Sequence, residues 1–357
     1  MHPTFTIGLA IPLKGPGGIY APSCEAVSEL AISELNRASG ILGAAVRLEV
    51  IDAAAPSAQL RRRVQSLVTR QRIQALTGWH ISSVRALLAP VVRGKLPYLY
   101  TSVHEGGRPE LGATMLGEAA EQQVIPGLRW LMSAYSLNRW AIIGSDYIWP
   151  RRTATRIHAL RRTSTLSVVH EEFLPEGQHS YAAALTRIEA ASPDGVVMLL
   201  VGQDAVRFNR EFAARGLDRD IARFSPLMEE TMLLASGAPA TANIYAAAAY
   251  FASLPRPEAL DFLGRYVAIQ GQSGPSLNNA AESCYEGILA TAALASAAGS
   301  RDPPTLSRFA RTNSFGYEGP RGRVVVNGKY SNQDIHVARA DGYSFDVLDR
   351  LAGKSSI

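Results

Sequence analysis

The sequence predicts an α/β fold built as two successive units, each a parallel sheet flanked by helices. Three observations predict it. Apolar runs of strand length alternate with longer amphipathic segments. That alternation stops at the glycine-bounded stretch 112–117 and then restarts. A long helical return follows Tyr250, so the chain goes back to finish what it began. The length of 357 residues suits two domains of about 150 residues each.

Each element has its own signal. Residues 5–11 form a first strand, followed by a Gly/Pro loop over 14–18. The spacing predicts a helix over 24–37, with Val27, Leu30, Ala31 and Leu35 on one face and Gly40 as its stop. Strands at 46–51, 73–77 and 96–101 enclose helices at 60–68 and 84–92, a βαβ series that implies a parallel sheet. The second series has helices at 118–135, 153–162, 181–191 and 204–215. Its strands are 140–144, 166–173, 195–201 and 221–225. The Ala-rich run 241–254 reads as a core strand. Helices follow at 259–269, 279–298 and 306–311, then strands at 323–326, 335–338 and 345–348. The expected domains are 1–117 plus about 251–325, and 118–250 plus about 326–357.

Composition excludes several classes. With 47% hydrophobic and 19% charged residues, the chain is too apolar to stay disordered. The net charge of +5 is small for the length and forms no basic arm, so no direct nucleic-acid role is expected. No run approaches the roughly 18 apolar residues of a membrane span. The N-terminus lacks a basic leader, and Pro12 and Lys14 break its apolar run, so a cytoplasmic protein is expected. A periplasmic one is the alternative if a leader was removed. Cys24 and Cys284, far apart in sequence, are expected as buried thiols.

Parallel α/β sheets bind ligands at the carboxyl ends of their strands. The loops that fall there are 13–20, 77–83, 100–106, 144–150, 201–204 and 225–230. They are rich in small hydroxyls, glycines and aromatics. Hydroxyls and free N–H groups at a helix start suit a carboxylate or an amide oxygen. Trp79, Tyr147 and Trp149 can supply walls that exclude water. Ser82 or Ser83 is a natural N-cap for the helix through Val84. No enzyme is predicted. Gly15-Pro16-Gly17-Gly18 lacks the third glycine of a dinucleotide loop, so no cofactor is expected. His170-Glu171-Glu172 lacks the second His of a zinc helix, so no metal is expected. His104-Glu105 beside Ser102 could be drawn as acid–base machinery, but loop neighbours seldom form a triad.

Several stretches together resemble a known family. Ile143-Gly144-Ser145-Asp146-Tyr147-Ile148-Trp149-Pro150-Arg151 is the most specific. The others are 78–85, 100–106, Ala280-Ala281-Glu282-Ser283-Cys284-Tyr285 and Tyr317-Glu318-Gly319-Pro320-Arg321-Gly322. In this order they resemble the type I periplasmic-binding-protein fold, in the branch of branched-chain amino acid, urea and amide receptors. The nearest likeness is to the cytoplasmic amide sensors that regulate aliphatic amidase operons. The resemblance implies two Rossmann-like lobes, three crossovers, a ligand cleft between the lobes and hinge closure. It implies that Ser82 offers its hydroxyl and N–H to the ligand, and that Ser102 keeps a hydroxyl where the family has Thr. Tyr100 and Tyr147 match lining positions. Trp149 and His80 each replace a Tyr, and Gln203 sits at a ligand-facing place. Tyr20 and Trp79 complete the expected wall. Asp146, Glu229 or Glu230 could face an ammonium, of which Glu229 is carried as the candidate. The function expected is non-catalytic sensing of a small amide, urea or amino-acid-like ligand, read by an antiterminator or other transcription regulator. The alternative is the substrate-binding component of an ABC transporter, with a permease as partner. A homodimer is compatible with either.

Overall fold

The computed structural model describes residues 3–107, 111–271, 273–328, 330–331 and 333–351. Met1 and the last six residues of the expected second-lobe tail lie outside the described residues. The chain forms two compact units. The first comprises Met1–Lys14, Tyr20–Gly117 and Pro255–Gln333, the second Gly15–Ile19, Glu118–Leu254 and Asp334–Ile357.

The first unit opens as the alternation predicts: β1 (Thr4–Ile11), α1 (Ala21–Arg37), β2 (Ala45–Asp52), α2 (Ser57–Thr69), β3 (Ala75–Gly78), α3 (Ser82–Val92), β4 (Tyr98–Tyr100) and β5 (Thr114–Met115). The second holds α4 (Val124–Tyr135), β6 (Arg139–Ser145), α5 (Ile148–Leu160), β7 (Ser167–Leu174), α6 (Ala182–Ala191) and β8 (Gly195–Leu199). It continues with α7 (Gln203–Ala214), β9 (Ala222–Phe224), α8 (Glu230–Ser236) and β10 (Ile244–Ala248). The chain then returns to the first unit with α9 (Pro257–Gln270), α10 (Asn279–Ala298), α11 (Pro303–Thr312), β11 (Ser314–Gly319), β12 (Gly322–Asn327) and β13 (Tyr330–Ser331). It closes in the second with β14 (Ile335–Asp341) and β15 (Ser344–Leu351).

Each unit is organised on one sheet. The first has strand order β11-β12-β13-β5-β4-β3-β1-β2, parallel from β5 to β2. The second has order β15-β14-β10-β9-β8-β6-β7, with β10, β9, β8, β6 and β7 parallel. Parallel strands are buried on both faces, which is why β3, β4, β8 and β10 are apolar and buried throughout. In the first unit Leu60, Val64 and Leu67 of α2 and Leu88, Val91 and Val92 of α3 pack on that sheet. Two returning helices begin with real caps. Asn278 accepts from Ala281 N–H at 2.8 Å, and Asp302 accepts from Thr305 N–H at 3.0 Å before Pro303. Cys24 and Cys284 are buried and form no disulfide, as expected of small apolar fillers.

The expected return to the second unit near 325 falls too early. β12 runs on to Asn327, and β13 then pairs with β5, so the chain stays with the first sheet to Gln333. The Tyr317–Gly322 motif explains the attachment. It places Arg321 in the core against Glu282 and Glu286, where Tyr317 OH also donates to Glu286 at 2.9 Å. Arg321 donates onward to Gln333 at 2.6 Å, and Gln333 and Ser331 both donate to Leu116 O. One buried cation thus compensates two buried carboxylates.

Candidate functional site

In the first unit the site is built where β3 and β4 end. Gly78 closes β3 with φ +126°, and a Cβ there would lie 2.3 Å from Ala10 O. Only glycine meets both demands. The chain then turns through Trp79, His80 and Ile81 into α3. Ile81 is the N-cap and has no polar side chain to cap with; its carbonyl accepts from Val84 N–H and Arg85 N–H as the helix begins. The expected Ser82 or Ser83 cap is therefore corrected. The helix starts one turn position earlier, and Ser82 enters it with its side chain buried.

That placement is the main feature of the site. Ser82 is 1% exposed, and its Oγ forms no hydrogen bond of ordinary geometry. Leaving a buried hydroxyl unsatisfied costs about 1–3 kcal/mol. Its neighbours are Tyr100 and Glu105. The Tyr100 hydroxyl donates to His80 O at 2.7 Å, so this residue lines the site with its ring while its oxygen is spent on the loop. Burial pushes that hydroxyl up to about 12. Ser102, beyond the end of β4, is buried beside Tyr100.

The aromatic candidates of this unit pack on one another. Trp79 and Tyr20 rings lie 4.4 Å apart, and His80 lies 5.1 Å from Tyr100. His80 Nδ1 faces Ile81 O at 3.3 Å and Nε2 faces Tyr98 OH at 2.8 Å. This network puts the ring proton on Nδ1 and makes Nε2 the acceptor. Burial drives the His80 pKa down to about 3, so the ring is neutral at physiological pH.

Sequence reasoning missed one residue here and discounted two. Arg85 lies three positions after Ser82, hence on the same face of α3, and its Nη2 donates to Glu105 Oε2 at 2.7 Å. Both side chains are buried, at 6% and 5% exposure, and the guanidinium sits 5.0 Å over the Tyr100 ring. Burial raises the Glu105 carboxyl, but the Arg85 charge and the hydrogen-bonding contacts of Ser82 and Arg85 together outweigh it and hold the group below the usual carboxylate range. Glu105 Oε1 is the buried oxygen left over from the Arg85 bond. His104 stacks on Tyr330 at 5.7 Å and accepts from Gly106 N–H at 3.1 Å. Burial and Arg85 lower its pKa to about 4. The i, i+3 spacing of Ser82 and Arg85 was the available signal.

In the second unit the candidates stand at the carboxyl ends of three neighbouring strands. Tyr147 is the N-cap of α5 after β6, and Trp149 is buried in its first turn. Trp149 Nε1 and Ser145 Oγ are buried without hydrogen-bond partners. Gln203 opens α7 after β8, with Gly202 as N-cap. Glu229 is the buried N-cap residue of α8 after β9. Asp146 is exposed and tied to Arg151 at 2.5 Å. Glu230 Oε1 accepts from Ala252 N–H at 2.7 Å, and burial lifts its carboxyl to about 7. Among the described residues no His/Cys/Asp/Glu group could hold a metal ion. No helix among them is long and apolar enough to cross a membrane.

Known proteins match this arrangement along nearly the whole chain. Residues 4–343 match the periplasmic binding protein family. A Leu/Ile/Val-binding protein of Rhizobium johnstonii is 23% identical over 210 residues, 55% of this chain and 54% of that protein. The chain thus spans about half the length of that curated relative. A solute-binding protein of an ABC transporter from Rhodopseudomonas palustris, solved with 3,4-dihydroxybenzoic acid, superposes with a TM-score of 0.85 at 20% identity, covering 99% of both chains. The branched-chain amino acid transporter substrate-binding protein of Streptococcus pneumoniae, solved with isoleucine, gives 0.82 at 18% identity, covering 97% of this chain and 99% of that one. This chain belongs to the periplasmic binding protein family.

Proposed function

We propose that this chain is the solute-binding component of an ABC-type transporter, that it works in the periplasm, and that its ligand is small and zwitterionic or neutral. The observation that carries the ligand class is the charge state of the first unit's strand ends. Arg85 and Glu105 cancel one another, and His80 and His104 are neutral near pH 7. A site with no net charge favours a ligand with none. Ser82 Oγ and the first N–H groups of α3 suit a carboxylate or amide oxygen. Glu105 Oε1 suits an ammonium or amide N–H. An amino acid satisfies both. The Rhizobium relative's name supports that class. Trp79, Tyr20, Tyr100 and Ser102 form the apolar and hydroxyl lining.

The similar proteins named for transport favour this role and a permease partner over the amide sensor and its transcription regulator. The sensor reading rests on a resemblance carried by 143–151 together with 78–85, 100–106, 280–285 and 317–322. Thermal shift and calorimetry with aliphatic amino acids, short amides, urea and hydroxybenzoates test the ligand. A one-to-one titration with an uncharged or zwitterionic member supports the reading. Binding restricted to anionic benzoates refutes the charge argument. Loss of cellular uptake of that ligand on deleting the chain supports transport, whereas intact uptake with altered amidase expression supports the sensor.

A further inference from the structure

A second feature lies away from the strand ends, on the outer edge of the first sheet. β2 is the edge strand there. Asn36 covers its beginning as a strand would. Val46 N–H donates to Asn36 Oδ1 at 2.7 Å, and Val46 O accepts from Asn36 Nδ2 at 3.0 Å. The backbone groups of Val46 therefore point away from β1. With the two-residue period of a strand, those of Leu48 and Val50 do too. Neither Leu48 nor Val50 makes such a contact among the described residues.

Beside this open edge is a groove of about 470 Å³. Its lining is Leu9, Ile32, Leu48 and Val50, with Ser33 and two carboxylates, Glu25 and Glu29. Val50 is 41% exposed, an unusual position for a strand valine. Glu25 and Glu29 are one turn apart on α1, and neither has an ion-pair partner among the described residues. In a chain with 36 basic residues, other surface carboxylates such as Glu49, Asp146 and Glu172 are matched by arginine.

We propose that this groove docks an extended segment of another protein with basic residues at every second position, added as a strand to the edge of β2. The edge groups of Leu48 and Val50 supply main-chain hydrogen bonds. Every second side chain of the added strand enters the groove, where a basic residue lays its aliphatic stem on the apolar floor and pairs its charge with Glu25 or Glu29, while the residues between point to the opposite face of the sheet. A second copy of this chain fits less well. A two-fold pairing through β2 would bring the Glu25 and Glu29 of both copies toward one another. A small amine would leave the edge groups unpaired. This inference is independent of the ligand proposed above.

The probe is a fluorescein-labelled hexapeptide of alternating lysine and valine, with a glutamate–valine control, followed by anisotropy. The expected result is saturable binding of the lysine peptide alone. Glu25→Gln with Glu29→Gln weakens it at least tenfold, and hydrogen exchange shows the Leu48 and Val50 amides protected on binding. Both substitutions are at the surface, and an unchanged melting curve confirms the fold. No binding, or binding that the double variant retains, overturns the proposal. Binding without amide protection overturns strand addition. A dimer in sedimentation that the peptide displaces assigns the groove to a second copy and overturns the peptide partner.

Discussion

Replacing Ser82 with alanine should move two quantities in opposite directions. The hydroxyl is buried beside Glu105 and Tyr100, and its contacts there fall short of ordinary hydrogen-bond geometry. Removing it eliminates an unsatisfied group worth about 1–3 kcal/mol, less the small cavity left by one oxygen. The free protein should therefore keep its stability or gain it. A gain of 1 kcal/mol corresponds to a rise of about 2–4 °C in melting temperature. In the proposed complex the same hydroxyl donates to a ligand oxygen. Losing a hydrogen bond to a charged group costs about 1.5–3 kcal/mol, or roughly ten- to a hundredfold in Kd. Differential scanning fluorimetry without ligand and calorimetry with ligand read the two effects on one preparation. A melting temperature that falls by several degrees would show that the hydroxyl holds the fold together. An unchanged Kd would remove Ser82 from the site.

Three further outcomes are expected. Arg85→Met strands a buried carboxylate at Glu105 and should cost about 3–5 kcal/mol in urea unfolding. Pairing it with Glu105→Gln should recover much of that loss, and strictly additive losses would refute a coupled pair. Glu230 has its pKa raised from 4.5 to about 7, so it contributes a stability loss that develops as pH rises from 4.5 through 7. Glu230→Gln should match the wild type near pH 4 and exceed it by about 3 kcal/mol at pH 8. An equal difference at both pH values would contradict the shift. Gly78→Ala should lower stability by about 3 kcal/mol or more, since the new Cβ meets Ala10 O and the backbone is left-handed. A melting curve like the wild type's would show that β1 yields at no cost.

Much of the architecture was legible in the sequence because it rests on long periodic segments. Val27, Leu30 and Ala31 announce α1, and the apolar run over 195–201 announces β8, because burial dictates residue type there. Short edge elements were not legible. β5 and β13 are two residues each and form through partners distant in sequence, so no local pattern marks them. Hence the boundary near 325 came out early. At the site, aromatic and hydroxyl residues in strand-end loops pointed to Ser82, Trp79 and Tyr100. Local rules failed where tertiary burial overrode them. Serine at a helix start reads as a cap, yet the fold turns Ser82 inward and gives the cap to Ile81. Arg85 reads as a surface helix residue until Glu105, twenty residues on, is brought against it.

A crystal structure of the protein with the ligand selected by calorimetry tests the central claim most directly. The account predicts a ligand oxygen within about 2.6–3.2 Å of Ser82 Oγ at the start of α3, with the Arg85–Glu105 pair intact behind it. Ligand bound elsewhere, with Ser82 Oγ still lacking a partner, would contradict it.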